Sequence, residues 1–376
     1  MILKSLKILM ISFLAIALLI ILIGVLFVNL SPEFGGTPSK EKKAEYEQLE
    51  YFSEGKFANL IPTTMDMDFG KALKMLPEFF KNDPSRIPSF KLPIVSRDSL
   101  ELVEDSLPSR LVWFGHSAFL LQIDGKNILI DPMLGEVPAP NPLLGKKRFF
   151  KDLPIKIEKL PQIDLIIISH DHYDHLDYGS IQILKEKTKQ FYVPLGVGAH
   201  LEKWGVDSAQ IHEMQWWEEA EVEGLSLAFT PSRHFSGRGP NNRFSTLWGS
   251  WVIKGQNDNI YFSGDGGYGP HFKEIGEKYG PFDFAMMECG QYNENWKEIH
   301  MMPEETARAG QDVNAKVIMP IHWAAFTLAM HTWTDPVERL IVKAKEINQP
   351  IFVPKIGEFI ILKDSLRTKE EWWIKP

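Results

Sequence analysis

The sequence predicts an α/β domain of layered type preceded by a single N-terminal transmembrane helix, and three observations lead there. From Leu111 onward, short apolar and β-branched runs alternate with stretches of helical spacing, the pattern of sheets covered by helices. A charge-free apolar stretch runs from Ile8 to Val28. Clusters of histidine and carboxylate stand at the ends of several apolar runs, where strands deliver side chains to a common edge.

The first element is the Ile8–Val28 stretch, about 31 Å long as a helix and so long enough to cross a hydrocarbon core. A cleaved signal peptide competes with an anchor here. Phe27-Val28-Asn29-Leu30-Ser31-Pro32 offers no small-residue cleavage site, so residues 1–30 are read as an uncleaved transmembrane anchor. Lys4, Lys7 and the amino terminus suggest an N-inside orientation, with the remainder extracytoplasmic, although Lys40, Lys42 and Lys43 follow on the far side. Residues 31–109 read as a linker and wrapping segment. Within them Ser31–Lys40 is rich in Pro, Gly and Ser, and Lys40–Tyr51 is charged with helical spacing. Asp68–Phe80 then sets Phe69, Leu73, Leu76 and Phe80 at helical intervals.

Residues 110–366 carry the folded domain and 367–376 a C-terminal tail. Strands are expected at Leu111–Phe114, Ala118–Ile123 and Asn127–Asp131, with Asp124-Gly125 as a hairpin turn. A proline-rich loop leads to a strand at Ile163–Ser169 and a helix at Tyr178–Lys187. Further strands are expected at Gln190–Val193, Leu225–Thr230, Leu247–Ile253, Asn259–Ser263, Phe282–Met287, Lys316–Met319 and Glu358–Leu362. Helices fit Pro303–Val313, where proline and two glutamates suit a helix start, and Asp335–Ile347.

Composition narrows the function. A net charge of −8 argues against a nucleic-acid groove, which usually presents a basic face. With one cysteine, Cys289, there is no intrachain disulfide and no thiolate-rich metal site. Any metal must be held by histidine and carboxylate.

The densest cluster is Ser169-His170-Asp171-His172-Tyr173-Asp174-His175-Leu176-Asp177, directly after the apolar strand Leu165-Ile166-Ile167-Ile168. Imidazole with carboxylate is the ligand set of zinc and its neighbours, and a loop at a strand end can aim several imidazoles at one point. A solvated polar turn is the bland alternative, and histidine is too scarce here (11 in the chain) to make it attractive. Three other strand ends repeat the pattern: Phe229-Thr230-Pro231-Ser232-Arg233-His234, Ile260-Tyr261-Phe262-Ser263-Gly264-Asp265, and Val317-Ile318-Met319-Pro320-Ile321-His322. A lone strand-end histidine is more often a structural residue; the four elements together offer seven donors, enough for two metal ions.

The order H-x-H-x-D-H, His, Asp, His resembles the metallo-β-lactamase fold, whose architecture is a four-layer αβ/βα sandwich with a dinuclear site between its sheet edges. Trp216-Trp217-Glu218-Glu219, Thr230-Pro231-Ser232-Arg233-His234, Leu247-Trp248-Gly249-Ser250-Trp251, Gly264-Asp265-Gly266-Gly267-Tyr268, Gly280-Pro281-Phe282-Asp283 and Pro320-Ile321-His322-Trp323 resemble the N-acyl-phosphatidylethanolamine-hydrolysing phospholipase D branch. The resemblance implies that His170, His172 and His234 hold one zinc, that Asp174, His175 and His322 hold the other, and that Asp265 bridges them. Mn2+ or Fe2+ would suit the same donors. It also implies that His300, before Pro303-Glu304-Glu305, assists catalysis beside Asp265; a plain histidine at a helix entrance is the alternative. His116 and Asp131 are expected to support the metal ligands, with a structural strand-to-strand role as the equal alternative for His116, and Arg233 and Arg238 to meet substrate phosphate. Trp296, Phe326, Met330 and Trp333 are candidates for an acyl pocket, or ordinary core. The chain departs from the branch at Gln291-Tyr292-Asn293, which lacks a Pro-Arg step after the tyrosine, and Glu288 adds negative charge nearby.

The expected function is a membrane-anchored dinuclear zinc hydrolase, a phospholipase D-like phosphodiesterase acting on an N-acyl phospholipid or related small molecule through a metal-bridging hydroxide. No nucleic-acid partner is expected. The nearer alternative is a lactonase or other ester hydrolase of the same fold. The more distant one is a non-enzymatic metal-binding or sensory membrane protein.

Overall fold

The computed structural model of the chain describes residues 2–65, 69–81, 83–102, 108–362, 364, 366–368 and 370–375. The N-terminal apolar run forms one helix, α1 (Ile2–Leu30), long and apolar enough over Lys4–Leu30 to cross a membrane and with no part of that stretch buried against the domain. After it come α2 (Lys40–Tyr46), capped by the Ser39 hydroxyl, a small hairpin of β1 (Phe52–Ser53) and β2 (Lys56–Phe57), and α3 (Phe69–Phe80). Asp68, where the sequence starts this last helix, lies outside the described residues.

Two sheets then follow. The first opens with β3 (Arg110–Trp113), β4 (Phe119–Ile123) and β5 (Lys126–Ile130), an antiparallel meander, and continues in parallel through β6 (Ile163–Ile167), α4 (Tyr178–Leu184), β7 (Thr188–Pro194), α5 (Gly198–Lys203) and β8 (Ile211–Met214). The second has β9 (Glu218–Val222), β10 (Leu225–Thr230), β11 (Ser250–Lys254) and β12 (Asn259–Phe262) antiparallel, then α6 (His271–Tyr279), β13 (Phe284–Glu288), α7 (Pro303–Asp312) and β14 (Ile318–Ile321), with both strands parallel to their neighbours. After α8 (Asp335–Glu346), β15 (Phe359–Ile361) returns to the first sheet beside β3. The strand orders are 15-3-4-5-6-7-8 and 14-13-12-11-10-9.

Alternation along the strands makes the four layers. Leu111, Leu121, Ile128 and Leu165 point between the sheets, where they meet Leu227, Phe229, Trp251, Ile253 and Phe284 from the other sheet. Their strand neighbours Val112, Leu120, Leu129 and Ile166 point the other way, onto Ile181 and Leu184 of α4 and Leu201 of α5. Likewise Ala228, Val252, Tyr261 and Ala285 pack on Phe272, Ala307 and Leu340 of α6, α7 and α8. The architecture is the αβ/βα sandwich expected from the sequence.

Two segments differ from their expected looseness. Ser31–Lys40 is not a free linker: the domain donates to three of its carbonyls. The indole of Trp204 donates to Pro32 O (2.7 Å), Arg238 Nε to Glu33 O (2.8 Å) and Lys203 Nζ to Gly35 O (2.7 Å). Farther on, Tyr46, Phe52, Phe57 and Leu92 are buried in the core between the sheets. The tail is also anchored, because its apolar pair Trp372 and Trp373 buries against Trp323, the ring of Trp372 stacking on it at 5.5 Å.

Candidate metal centre

Four strand ends meet along one edge of the sandwich. The loop after β6 carries His170, His172, Asp174 and His175; the segment after β10 carries His234; that after β12 carries Asp265; β14 ends into His322. Three backbones there adopt the left-handed region: His322 (φ 67°), His116 (φ 55°) and Asp131 (φ 40°). Non-glycine residues held in that region cluster where the surrounding fold fixes a functional geometry. Close approach is required as well. A Cβ on Gly290 would lie 1.9 Å from His322 O, and one on Gly264 (φ +56°) 2.4 Å from Gly249 O.

The donors fall into two joined groups. In the first, His172 Nδ1 lies 2.9 Å from His170 Nε2 and 3.2 Å from His234 Nε2. In the second, His322 Nε2 lies 3.1 Å and His175 Nε2 3.5 Å from Asp174 Oδ2, with His116 Nε2 2.9 Å from the same oxygen. Asp265 stands between: its Oδ2 is 3.1 Å from His175 Nε2, 3.0 Å from His322 Nε2 and 3.8 Å from His170 Nε2.

The outer hydrogen bonds decide which ring nitrogen faces inward. His175 Nδ1 meets Asp131 Oδ2 at 2.7 Å, and Asp131 is itself held by the Ser169 amide (2.7 Å) and hydroxyl (2.5 Å). Nδ1 of His170 meets the Ser169 hydroxyl at 2.9 Å, and Nδ1 of His234 meets the Ile299 carbonyl at 2.8 Å. His322 Nδ1 is 3.3 Å from Gly290 O and 3.4 Å from Glu288 Oε1. With Nδ1–H donating outward in each case, the four Nε2 lone pairs point into the site.

This arrangement fits a pair of cations. Three imidazole nitrogens aimed at one point face lone pair to lone pair unless a cation lies among them. His175 Nε2 and Asp265 Oδ1 are buried without a hydrogen-bond partner. Charge is divided accordingly. Burial, reinforced by neighbouring imidazoles, pushes His170 and His234 well below the usual imidazole range, and burial takes His172 down to about 4 and His116 to about 3. Burial works against a charge on His175 and His322 too, but there the carboxylates of Asp265 and Asp174 overcome it, holding His175 well above its ordinary value and raising His322 to about 10. Burial likewise opposes ionising Asp174 and Asp265, and the imidazoles reverse it, leaving both carboxyls well below the usual range. The result is a neutral imidazole trio beside a carboxylate-rich half, matched to two divalent ions that replace protons.

A cleft of about 310 Å3 opens over this centre, lined by His172, Asp174, Asp265 and His322 and walled by Met65, Phe235, Trp296, Ile299 and Leu328. His300 also lines it, its ring parallel to that of His322 at 5.2 Å. Its Nδ1 lies 3.2 Å from Glu288 Oε1. Of the residues expected to form an acyl pocket, Trp296 lines the cleft and Met330 packs behind it; Phe326 rests against His116 and Arg148, and Trp333 belongs to the core.

The two arginines expected to meet phosphate are spoken for. Arg238 is buried, donating to Glu33 O, Asp171 O (2.6 Å) and Leu176 O (2.7 Å) beneath the ring of Tyr173. Arg233 pairs with Glu298 at 3.0 Å and bonds Thr63 Oγ1 and Pro62 O. Their neighbours supply acceptors that a substrate would otherwise supply. The sequence marks Glu288 only as added negative charge near the site; in the structure the fully buried carboxylate touches both His300 and His322 and accepts the Met301 amide at 3.0 Å. It ends the apolar strand β13, so the signal used for the other strand-end donors would have found it.

Comparison with known proteins gives the family and the fold. The family described as "Beta-lactamase superfamily domain" matches residues 126–323. An uncharacterized protein of Mycobacterium tuberculosis is 37% identical over 348 residues, which span 91% of this chain and 92% of that protein. The N-acyl-phosphatidylethanolamine-hydrolyzing phospholipase D 1 of Caenorhabditis elegans is 30% identical over 257 residues, 64% of this chain and 72% of that one. A metallo hydrolase from the archaeon Ignicoccus hospitalis shares the fold with a TM-score of 0.50 at 23% identity, over 67% of this chain and 97% of that structure.

Proposed function

Since the chain belongs to the beta-lactamase superfamily and is a metal-dependent hydrolase, we propose that it is a membrane-anchored phosphodiesterase with two zinc ions, acting on N-acyl phospholipid-type substrates. The observation that carries this is the convergence of seven His and Asp donors, with Asp265 common to both groups, at the floor of an apolar-walled cleft. Mn2+ or Fe2+ would fit the same donors. The likeness to a phospholipase D over 64% of the chain supports a lipid phosphodiester, and α1 supports delivery from a bilayer. That α1 is an anchor rather than a cleaved signal is supported by its continuation into the domain: Phe27 packs edge-on against Phe34 at 5.3 Å, and the next carbonyls are held by Trp204, Arg238 and Lys203.

Two divalent ions, when bound, would supply Lewis acidity for acidifying water and for neutralising charge on a substrate's phosphoryl oxygens. His170, His172 and His234 would hold one ion and Asp174, His175 and His322 the other, with Asp265 shared. The protein does the rest. Asp131 and Ser169 fix the His175 and His170 rings, and His116 steadies Asp174. Glu288 ties Nδ1 of His300, so Nε2 is the nitrogen left to hand a proton to the departing oxygen. Met65, Phe235, Trp296, Ile299 and Leu328 keep water from the walls and suit acyl chains.

One observation favours a second reading, a lactonase or other ester hydrolase: among the described residues no Lys or Arg lines the cleft, and buried Glu288 adds negative charge beside it. The test is lipidomics of membranes treated with wild-type or Asp265→Asn protein, with aryl phosphodiester and lactone panels run alongside. Wild-type-specific loss of N-acyl phospholipids supports the phosphodiesterase. Turnover confined to lactones replaces it with the second reading, and equal activity in Asp265→Asn defeats both.

A further inference from the structure

Beside the metal cleft lies a second one of about 420 Å3, which shares the walls Met65, Phe235 and Ile299 with it. Arg243 lines only the second. Its guanidinium lies over the rings of Phe235 at 4.2 Å and Phe244 at 5.1 Å, and Nη2 approaches Met65 Sδ at 2.7 Å. Thioether sulfur is a weak acceptor and an aromatic face takes no N–H fork, so most of the five donors are unspent. Arg243 forms no ion pair with a carboxylate among the described residues. The contrast with Arg233 and Arg238 is chemical: those two are locked to protein oxygens, whereas Arg243 is flattened on aromatic faces and held toward a cavity next to the reactive centre. Phe235, its platform, also packs on His172 at 4.5 Å, so the wall between the clefts is stiff at both ends.

We propose that the second cleft is a phosphate-binding subsite, with Arg243 as the fork that takes the phosphate oxygens. The inference rests on the phosphodiesterase reading only for the identity of the phosphate's carrier. A second phosphate, on a phospholipid-type substrate that carries one besides the scissile diester, would seat there while the scissile bond lies over the metal donors; free inorganic phosphate would use the same fork. An arginine stacked on rings is pre-ordered for such a bond, and its loss removes charge-assisted hydrogen bonding rather than structure, since its contacts are at the surface.

The test uses the full-length chain in detergent. Inorganic phosphate is titrated by calorimetry against wild type, Arg243→Gln and Arg243→Lys, first metal-loaded and then after chelation, so that binding at the metals is separated from binding at the arginine. Expected is phosphate binding that survives chelation, weakens about tenfold or more in Arg243→Gln and is partly kept in Arg243→Lys. Kinetics then assign the carrier. A rise in KM of about tenfold at unchanged kcat in Arg243→Gln, seen for an aryl phosphodiester bearing a second phosphate and not for bis-aryl phosphate, assigns the subsite to the substrate's own phosphate. Unchanged KM with lost phosphate binding assigns it to free phosphate. Equal phosphate affinity in wild type and Arg243→Gln after chelation overturns the inference. A protein inert on every phosphodiester but with arginine-dependent phosphate binding would defeat the phosphodiesterase reading and leave this one standing.

Discussion

Glu288 shows how one carboxylate can serve two imidazoles. It is fully buried, with Oε1 3.2 Å from His300 Nδ1 and 3.4 Å from His322 Nδ1, while Oε2 accepts the Met301 amide. Glu288→Gln keeps the shape and removes the charge. It should lower kcat by about 10–100-fold, the range seen when partners of metal ligands are changed. A variant with a wild-type rate would remove Glu288 from the mechanism. One titration is measurable elsewhere. Burial, and then the nearby Arg233 charge, press the His271 imidazole down to about 3, so the folded state keeps it neutral. The unfolded chain takes up that proton below about 6.5, binding more protons than the native state between those values, so stability should fall as pH drops through that window. His271→Gln should flatten that part of the melting-temperature curve; parallel curves would contradict the assignment. The candidate donors stood out in sequence because scarce histidines, with carboxylates beside them, recur at the ends of apolar strands, and the family resemblance ordered them. The fates of Arg233 and Arg238 were not legible, because which oxygens a guanidinium finds depends on chain segments far away, Glu298 in one case and Glu33 in the other.

At the scale of elements, the site depends on how closely strand ends can approach. Gly290 follows β13 and faces the carbonyl of His322, with no room for a methyl group between them. Gly290→Ala should therefore displace His322, destabilise the fold by about 1–3 kcal/mol and reduce metal content, measurable by denaturant unfolding and elemental analysis. Unchanged stability and metal content would show that the two segments can part without consequence. The buried strands were readable because β-branched runs such as Leu165–Ile168 have few alternatives to a sheet interior. The elements that escaped notice carry weaker patterns. In β9, Glu218-Glu219-Ala220-Glu221-Val222 is an edge strand, mostly exposed, where acidic residues mask the pairing. α5 is two turns long or less, and α6 has polar residues over most of its length, so neither announces itself by periodicity alone. Leu247–Gly249, read as strand, instead bridges the sheets: Leu247 N bonds Leu195 O and Gly249 N bonds Ser169 O. That second bond ties the base of the metal loop to the opposite sheet.

For the whole molecule, the two sheets form a clamp whose shared core fixes the spacing of their edges. His170, His172, Asp174 and His175 come from one sheet, and His234, Asp265 and His322 from the other, so the two halves of the site meet only if the sandwich closes. Metal binding and folding are coupled through that interface. The layered α/β class followed from alternating strand and helix patterns, and the four-layer form from the family resemblance. Which residues of the wrapping segment enter the core, Tyr46, Phe52, Phe57 and Leu92, was not legible, nor was the burial of Trp372 and Trp373, since proline-rich and terminal segments carry no periodicity to mark what they touch. The most direct test of the central claim is metal stoichiometry by elemental analysis of the full-length protein, beside His322→Ala and Asp265→Asn. The account expects about two divalent ions per wild-type chain and about one in His322→Ala, with weakened retention of both in Asp265→Asn. One ion or none in the metal-replete wild type, or two held equally well by all three proteins, would contradict it.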